Sequence, residues 1–128
     1  MLVDDNQDDN FFHEREIKKS SLVNTVVTKN TGADAITYLK DGGEDKCIRP
    51  ELIFLDINMP GMNGWEFLEQ YHKLDAILKN QVIIIMLTTS DNPDDKTKAS
   101  KWDFVSDYIT KPLTKEMIAE IVKKYFKS

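Results

Sequence analysis

Two stretches of the chain are apolar without interruption: residues 52–55 (Leu-Ile-Phe-Leu) and 82–87 (Val-Ile-Ile-Ile-Met-Leu). Continuous rather than alternating apolar runs of this length fit strands buried on both faces, as in a parallel sheet covered by helices. Weaker strand candidates are 23–29, which contains Val26 and Val27, the short run 108–110 before Pro112, and Met1-Leu2-Val3 at the start. Helical patterns fall between these runs. Residues 8–20 open with acidic side chains and close with Lys18 and Lys19, the charge order a helix dipole favours. Residues 33–39 carry Ala35, Ile36 and Leu39 at helical spacing, and 65–74 carry Phe67, Leu68, Tyr71 and Leu74. Residues 93–102 are polar and Lys-rich, so that helix is expected to pack lightly. Residues 114–126 place Met117, Ile118, Ile121, Val122 and Tyr125 on one stripe behind a Thr114 N-cap. Strand followed by helix, five times over, predicts an α/β fold with a parallel sheet and right-handed crossovers.

Composition narrows the setting. A chain of 128 residues, 41% hydrophobic and 30% charged, fits one globular domain over 1–128. Its single cysteine, Cys47, has no internal partner, which favours a reducing compartment. Residues 1–5 lack a basic segment followed by an apolar one, and no apolar run approaches the ~18 residues of a membrane span. A cytoplasmic protein without membrane insertion is expected. The net charge of −5 argues against direct nucleic-acid binding, which needs a basic footprint.

Ligands of open doubly wound sheets bind beyond the carboxyl ends of the strands, so the residues at those ends decide the chemistry. The first strand runs into Asp4-Asp5, the third into Asp56, the fourth into Thr88-Thr89-Ser90, and the fifth leads to Lys111. Two carboxylates ~4 Å apart repel by ~4 kcal/mol at an effective dielectric of ~20, and three call for a cation. Carboxylate and carbonyl oxygens suit Mg²⁺, which keeps several waters and bridges readily to phosphate. Lys111 adds a point charge suited to a phosphoryl oxygen, and a carboxylate in such a site can itself attack phosphorus. Positioning and charge neutralisation supply most of the catalysis of phosphoryl transfer.

The segments 2–6 (Leu-Val-Asp-Asp-Asn), 55–64 (Leu-Asp-Ile-Asn-Met-Pro-Gly-Met-Asn-Gly), 86–90 (Met-Leu-Thr-Thr-Ser) and 108–112 (Tyr-Ile-Thr-Lys-Pro) resemble, in order, the motifs of response-regulator receiver domains. The resemblance covers essentially the whole chain. It implies a stand-alone CheY-like response regulator with five parallel strands in the order 2-1-3-4-5 and helices on both faces. Asp56 then matches the phosphoacceptor, which takes its phosphoryl group from a phosphohistidine on a sensor histidine kinase or a histidine phosphotransfer protein. Asp5 matches the direct acidic Mg²⁺ ligand, Asp4 its neighbour acting largely through water, and Asn58 the position whose backbone carbonyl completes the protein ligands. Thr88 matches the hydroxyl that moves to the phosphoryl group, Tyr108 the aromatic that changes rotamer with it, and Lys111 the phosphate-binding lysine. Pro112 matches the proline that follows this lysine through a cis peptide bond. The resemblance implies a switch rather than a turnover enzyme, with self-catalysed phosphotransfer and dephosphorylation only. Its output is an unknown downstream protein that reads the surface of the fourth helix, fifth strand and fifth helix.

Other readings compete with these. A receiver fold can serve as a phosphorylation-independent interaction module. A haloacid-dehalogenase-type hydrolase also uses a strand-end Asp and Mg²⁺, but needs a second Asp where this chain has Asn58. A flavodoxin-like carrier needs a Ser/Thr/Gly-rich loop where this chain has Asp4-Asp5-Asn6. Residue by residue, Asp4-Asp5 could be a solvated helix start, Asp56 a turn former, Thr88 a helix cap and Lys111 a loop lysine. His13 is expected at the edge of a helix face, and His72 in solvent. Trp65 and Trp102 read equally as packing or partner contacts, while Met59 and Met62 could form a partner-binding pair but are expected instead to cover and shield the loop after Asp56.

Three departures from the family pattern stand out. Only three residues precede the acidic pair, about 10 Å of strand at ~3.3 Å per residue. A strand so short is expected to expose neighbouring backbone groups, so the protein is expected to begin a few residues earlier or to be less stable than most domains of this kind. Thr89 stands where the family more often has a smaller residue, and is expected to narrow access to the phosphoryl group and slow water attack. The loop over 41–50 is longer than the family's shortest versions.

Overall fold

The computed structural model of the protein describes residues 1–20, 26–41, 51–57, 61–73, 83–88, 97 and 105–126. In chain order the elements are β1 (Leu2–Val3), α1 (Gln7–Ser20), β2 (Thr28–Lys29), α2 (Gly32–Asp41), β3 (Leu52–Asp56), α3 (Gly64–His72), β4 (Ile83–Thr88), β5 (Val105–Thr110) and α4 (Lys115–Tyr125). The five strands form one parallel sheet in the order β2-β1-β3-β4-β5, as the resemblance implies. The helix expected over 93–102 falls outside the described residues except for Thr97, which is helical and exposed. Residues 42–50, most of the long loop, and Cys47, Met59, Thr89 and Trp102 also lie outside them.

The continuous apolar runs have a direct explanation in the packing. Successive strand side chains point to opposite faces, and each face has its own core. Val3, Ile53, Leu55, Ile84 and Met86 join Ala35, Ile36 and Leu39 of α2 and Phe67, Leu68 and Tyr71 of α3. Leu2, Phe54, Ile85 and Leu87 join Ile17 of α1 and Ile118 and Ile121 of α4 on the other. Neither face of β3 or β4 meets water, so neither tolerates a polar position until the strand ends.

Local signals set the boundaries. Asn6 caps α1 by accepting from the Asp9 N–H (3.1 Å), and Thr114 caps α4 by accepting from the Met117 N–H. Asn63 caps α3 in a reciprocal box: its side chain accepts from the Glu66 N–H at 2.9 Å, and Glu66 accepts from the Asn63 N–H at 3.2 Å. β5 is longer than the three residues its sequence pattern marks. It carries one extra residue against β4, where Ile84 pairs with Val105 and Ile85 with Asp107. Ser106 falls in that irregularity, and its carbonyl accepts from the Tyr125 hydroxyl at 3.0 Å.

β1 is as short as the sequence implies, yet the expected exposure of its neighbours does not follow. The Phe54 N–H donates to the Met1 carbonyl at 2.8 Å and the Leu52 carbonyl accepts from the Met1 amine at 2.6 Å. On the other side the Leu2 N–H donates to Val27 and the Asp4 N–H to Lys29. The residues flanking β1 thus complete the ladder. His13 is a second correction: it is 2% exposed, on the buried face of α1 with Asn10 and Ile17 instead of at a helix edge. His72 is exposed, as expected, and Met62 packs partly buried against the α2–α3 core beside Gly32.

Candidate functional site

β1 leads to β2 on one side of the sheet and β3 leads to β4 on the other, so the crevice between their carboxyl ends is the switch point of the topology. Asp4 follows β1 directly and Asp56 is the last residue of β3. Both are buried, while Asp5 is exposed at the mouth. One carboxylate oxygen from each of Asp4, Asp5 and Asp56 lies within 4.8 Å of the others.

Each wall of this crevice is fixed by backbone and side-chain contacts. The Asp4 Oδ1 accepts from the Asn6 N–H at 3.0 Å, and the Asp4 carbonyl accepts from the Asn10 side chain at 2.7 Å. Behind Asp56, the Ile57 N–H donates to Leu87 and the Ile57 carbonyl accepts from the Gly64 N–H at 2.8 Å. Gly64 has no room for a side chain: a Cβ there would sit 2.8 Å from the Asp56 carbonyl oxygen and 2.9 Å from the Ile57 Cα. Gly61, with φ of 76°, makes the turn that leads into α3.

Lys111 closes the far side. Its N–H donates to the Thr88 carbonyl at 2.7 Å, which ties it to the end of β4, and the Lys111–Pro112 peptide is cis. The ammonium reaches three carboxylates: Asp4 at 2.7 Å, Asp9 at 2.9 Å and Asp56 at 3.4 Å. Burial works against its charge, but the hydrogen bonds to Asp4 and Asp9 and the fields of Asp4 and Asp56 outweigh it and raise its pKa. The Asp56 pKa is raised as well, from other causes: burial and the neighbouring Asp4 charge push its carboxyl up to about 6, against the pull of Lys111. His13 is held toward its neutral form by burial and by the Lys111 charge, and its Nδ1 has no hydrogen-bond partner among the described residues.

Thr88 is fully buried at the end of β4, one residue beyond Leu87, the strand partner of Asp56. Tyr108 pairs with Met86 and packs, partly buried, on the α2–α3 core. Strand alternation puts Thr88 on the same face as Met86, and therefore as Tyr108. Asn58 lies outside the described residues. Asp4, Asp5, Asp56, Thr88 and Lys111 are all found at the carboxyl edge of the sheet. Asp9 is the member that the sequence did not reveal. Its place in the first helical turn already explains an acidic residue, so its role at Lys111 leaves no separate mark.

The donor set fits a hard divalent cation. It consists of oxygens alone, two of them buried and one open to solvent, where bound water can be kept. One lysine does not balance the carboxylates of Asp4, Asp5 and Asp56, and the Asp4 charge adds to burial in raising the Asp56 pKa.

Comparison with known proteins gives a consistent relationship. The family model described as the response regulator receiver domain matches residues 1–123. Response regulator Rcp1 of Synechocystis is 34% identical over 112 residues, covering 87% of this chain and 74% of that protein. The crystal structure of a two-component response regulator from Cytophaga hutchinsonii superposes with a TM-score of 0.89 at 31% identity, covering 99% of this chain and 95% of the other. That of the phosphorylated cyanobacterial phytochrome response regulator RcpA superposes with a TM-score of 0.74 at 35% identity, covering 96% and 86%. Proteins of this family are in general switches and not turnover enzymes. The chain belongs to the response-regulator receiver domains of two-component signalling.

Proposed function

We propose that residues 1–128 form a single receiver domain that accepts a phosphoryl group on Asp56 from a phosphohistidine donor, with Mg²⁺ bound. The observation that carries this reading is the position of the Lys111 ammonium, 2.7 Å from Asp4 and 3.4 Å from Asp56, beside three carboxylate oxygens within 4.8 Å of one another. The ion would be held by Asp5 and Asp56, by Asp4 through water, and by the Asn58 carbonyl. When bound, it neutralises charge on the phosphoryl oxygens and on Asp56.

The residues supply the rest. An Asp56 carboxylate oxygen attacks phosphorus; the new O–P bond forms as the N–P bond to the donor imidazole breaks. The electron pair returns to the imidazole nitrogen, which takes a proton from solvent. Lys111 exchanges a carboxylate for a phosphoryl oxygen. The Thr88 hydroxyl turns to the phosphoryl group and Tyr108, on the same face, repacks. The surface of residues 93–102, β5 and α4 is thereby biased for a downstream protein. Donor and target are proteins of the cytoplasm, the donor a sensor histidine kinase or histidine phosphotransfer protein. Among the described residues no helix is long and apolar enough to cross a membrane.

The test is incubation with a small phosphodonor and Mg²⁺, read by intact mass. Wild type gains one phosphoryl group; Asp56→Asn gains none. A wild type that stays unmodified with and without Mg²⁺ makes the fold a phosphorylation-independent interaction module.

A further inference from the structure

The Asp9–Lys111 contact is not accounted for by the proposed phosphoryl chemistry. Asp9 occupies the third position of α1, where an acidic side chain usually turns back to the N–H of the capping residue. Here that N–H, of Asn6, donates to Asp4 instead, and the Asp9 carboxylate reaches across to a residue 102 positions later in the chain. Lys111 is nearly buried and its ammonium has three N–H donors. Two are satisfied at short range by Asp4 and Asp9; the third finds Asp56 only at 3.4 Å.

We infer that Asp9 is a positioning residue that, together with Asp4, holds the Lys111 ammonium on the α1 side of the crevice and so leaves the Asp56 oxygens accessible to a divalent cation. Without the Asp9 carboxylate, the nearest acceptor left for the freed N–H is Asp56. A short Lys111–Asp56 pair would occupy the oxygens that the metal needs, because an ammonium and a divalent cation compete for the same lone pairs. When a phosphoryl oxygen becomes available, Lys111 leaves Asp9 for it, and Asp9, 36% exposed in its side chain, is taken over by water. Asp9 therefore acts through Lys111 and touches neither the metal nor the phosphoryl group. The inference rests on the proposed function for the identity of the metal site.

The experiment is a double-mutant cycle on Mg²⁺ affinity in the full chain, using Asp9→Asn, Lys111→Met and the pair, by calorimetric titration. Asp9→Asn weakens Mg²⁺ binding about 5-fold, within the range of coupling between contacting residues, and by under about 2-fold once Lys111 is Met. A second readout needs no metal and no Lys111 variant. The ¹⁵N resonance of the Lys111 Nζ moves in Asp9→Asn, as its hydrogen-bond partner changes. Equal weakening of Mg²⁺ binding in both backgrounds reduces Asp9 to a distant charge and overturns the inference. So does an unmoved Nζ resonance. The cycle uses no phosphodonor, so its failure is separable from a failure to phosphorylate Asp56.

Discussion

At the scale of single residues, Asp56 carries an electrostatic cost that its function explains. Its folded pKa of about 6 lies above the ~3.9 of an unfolded aspartate. Between those values the folded chain binds more protons than the unfolded one, so stability falls as pH rises through the window. In metal-free buffer Asp56→Asn is therefore expected to be more stable than wild type by roughly 1–3 kcal/mol at pH 7.5, and equal to it near ~4. Urea denaturation at the two pH values checks this; a less stable Asn variant at pH 7.5 would contradict it. Gly64 supports the same residue from behind. Gly64→Ala pushes a methyl group against the Asp56 and Ile57 backbone, for an expected loss of about 1–3 kcal/mol in the same assay. Asp4, Asp5, Asp56, Thr88 and Lys111 were legible in the sequence because each sits where an apolar strand run stops or a motif resumes. Asp9 and His13 were not. An acidic first turn has a sufficient local explanation, and the burial of a lone histidine depends on parts of the fold far away in the chain, Lys111 among them.

At the scale of elements, the two continuous apolar runs identified β3 and β4 because both faces of each are covered. β5 was only half legible. Ser106 and Asp107 are polar, and the extra residue at the β4–β5 irregularity breaks the pattern that a periodic reading relies on. Of the 23–29 candidate for β2, residues 23–25 lie outside the described residues; among the described ones, Thr28 and Lys29 pair with β1 while Val26 and Val27 precede the strand. The α3 boundary was readable from Asn63 and Glu66, three residues apart, the spacing of a capping box. Asn63→Ala removes the acceptor for the Glu66 N–H and is expected to cost about 1 kcal/mol, measured by thermal or urea unfolding. No measurable loss would mean that tertiary packing alone sets the start of α3.

At the scale of the whole molecule, four strand ends assemble one site, and a ligand of that site should stabilise the entire fold. Mg²⁺ at 100 times its dissociation constant adds roughly 2.7 kcal/mol of stability by mass action. The thermal midpoint of wild type is expected to rise with Mg²⁺, and that of Asp5→Asn to rise much less at equal concentration. Equal responses would place the ion elsewhere. The fold class and strand order were readable because the motifs follow one another at successive strand ends, and no single motif would have sufficed. What escaped the sequence were the contacts made between elements far apart in the chain, as between α1 and Lys111.

The central claim is that phosphorylation occurs on Asp56, and chemical trapping of the phosphorylated residue tests it most directly. After incubation with a small phosphodonor and Mg²⁺, borohydride reduces an aspartyl phosphate to the alcohol, leaving homoserine at the modified position. Peptide mapping is predicted to find homoserine at position 56 and nowhere else. A peptide spanning residue 56 that is unchanged after reduction, or a phosphoryl group located on His13 or His72, would contradict the account.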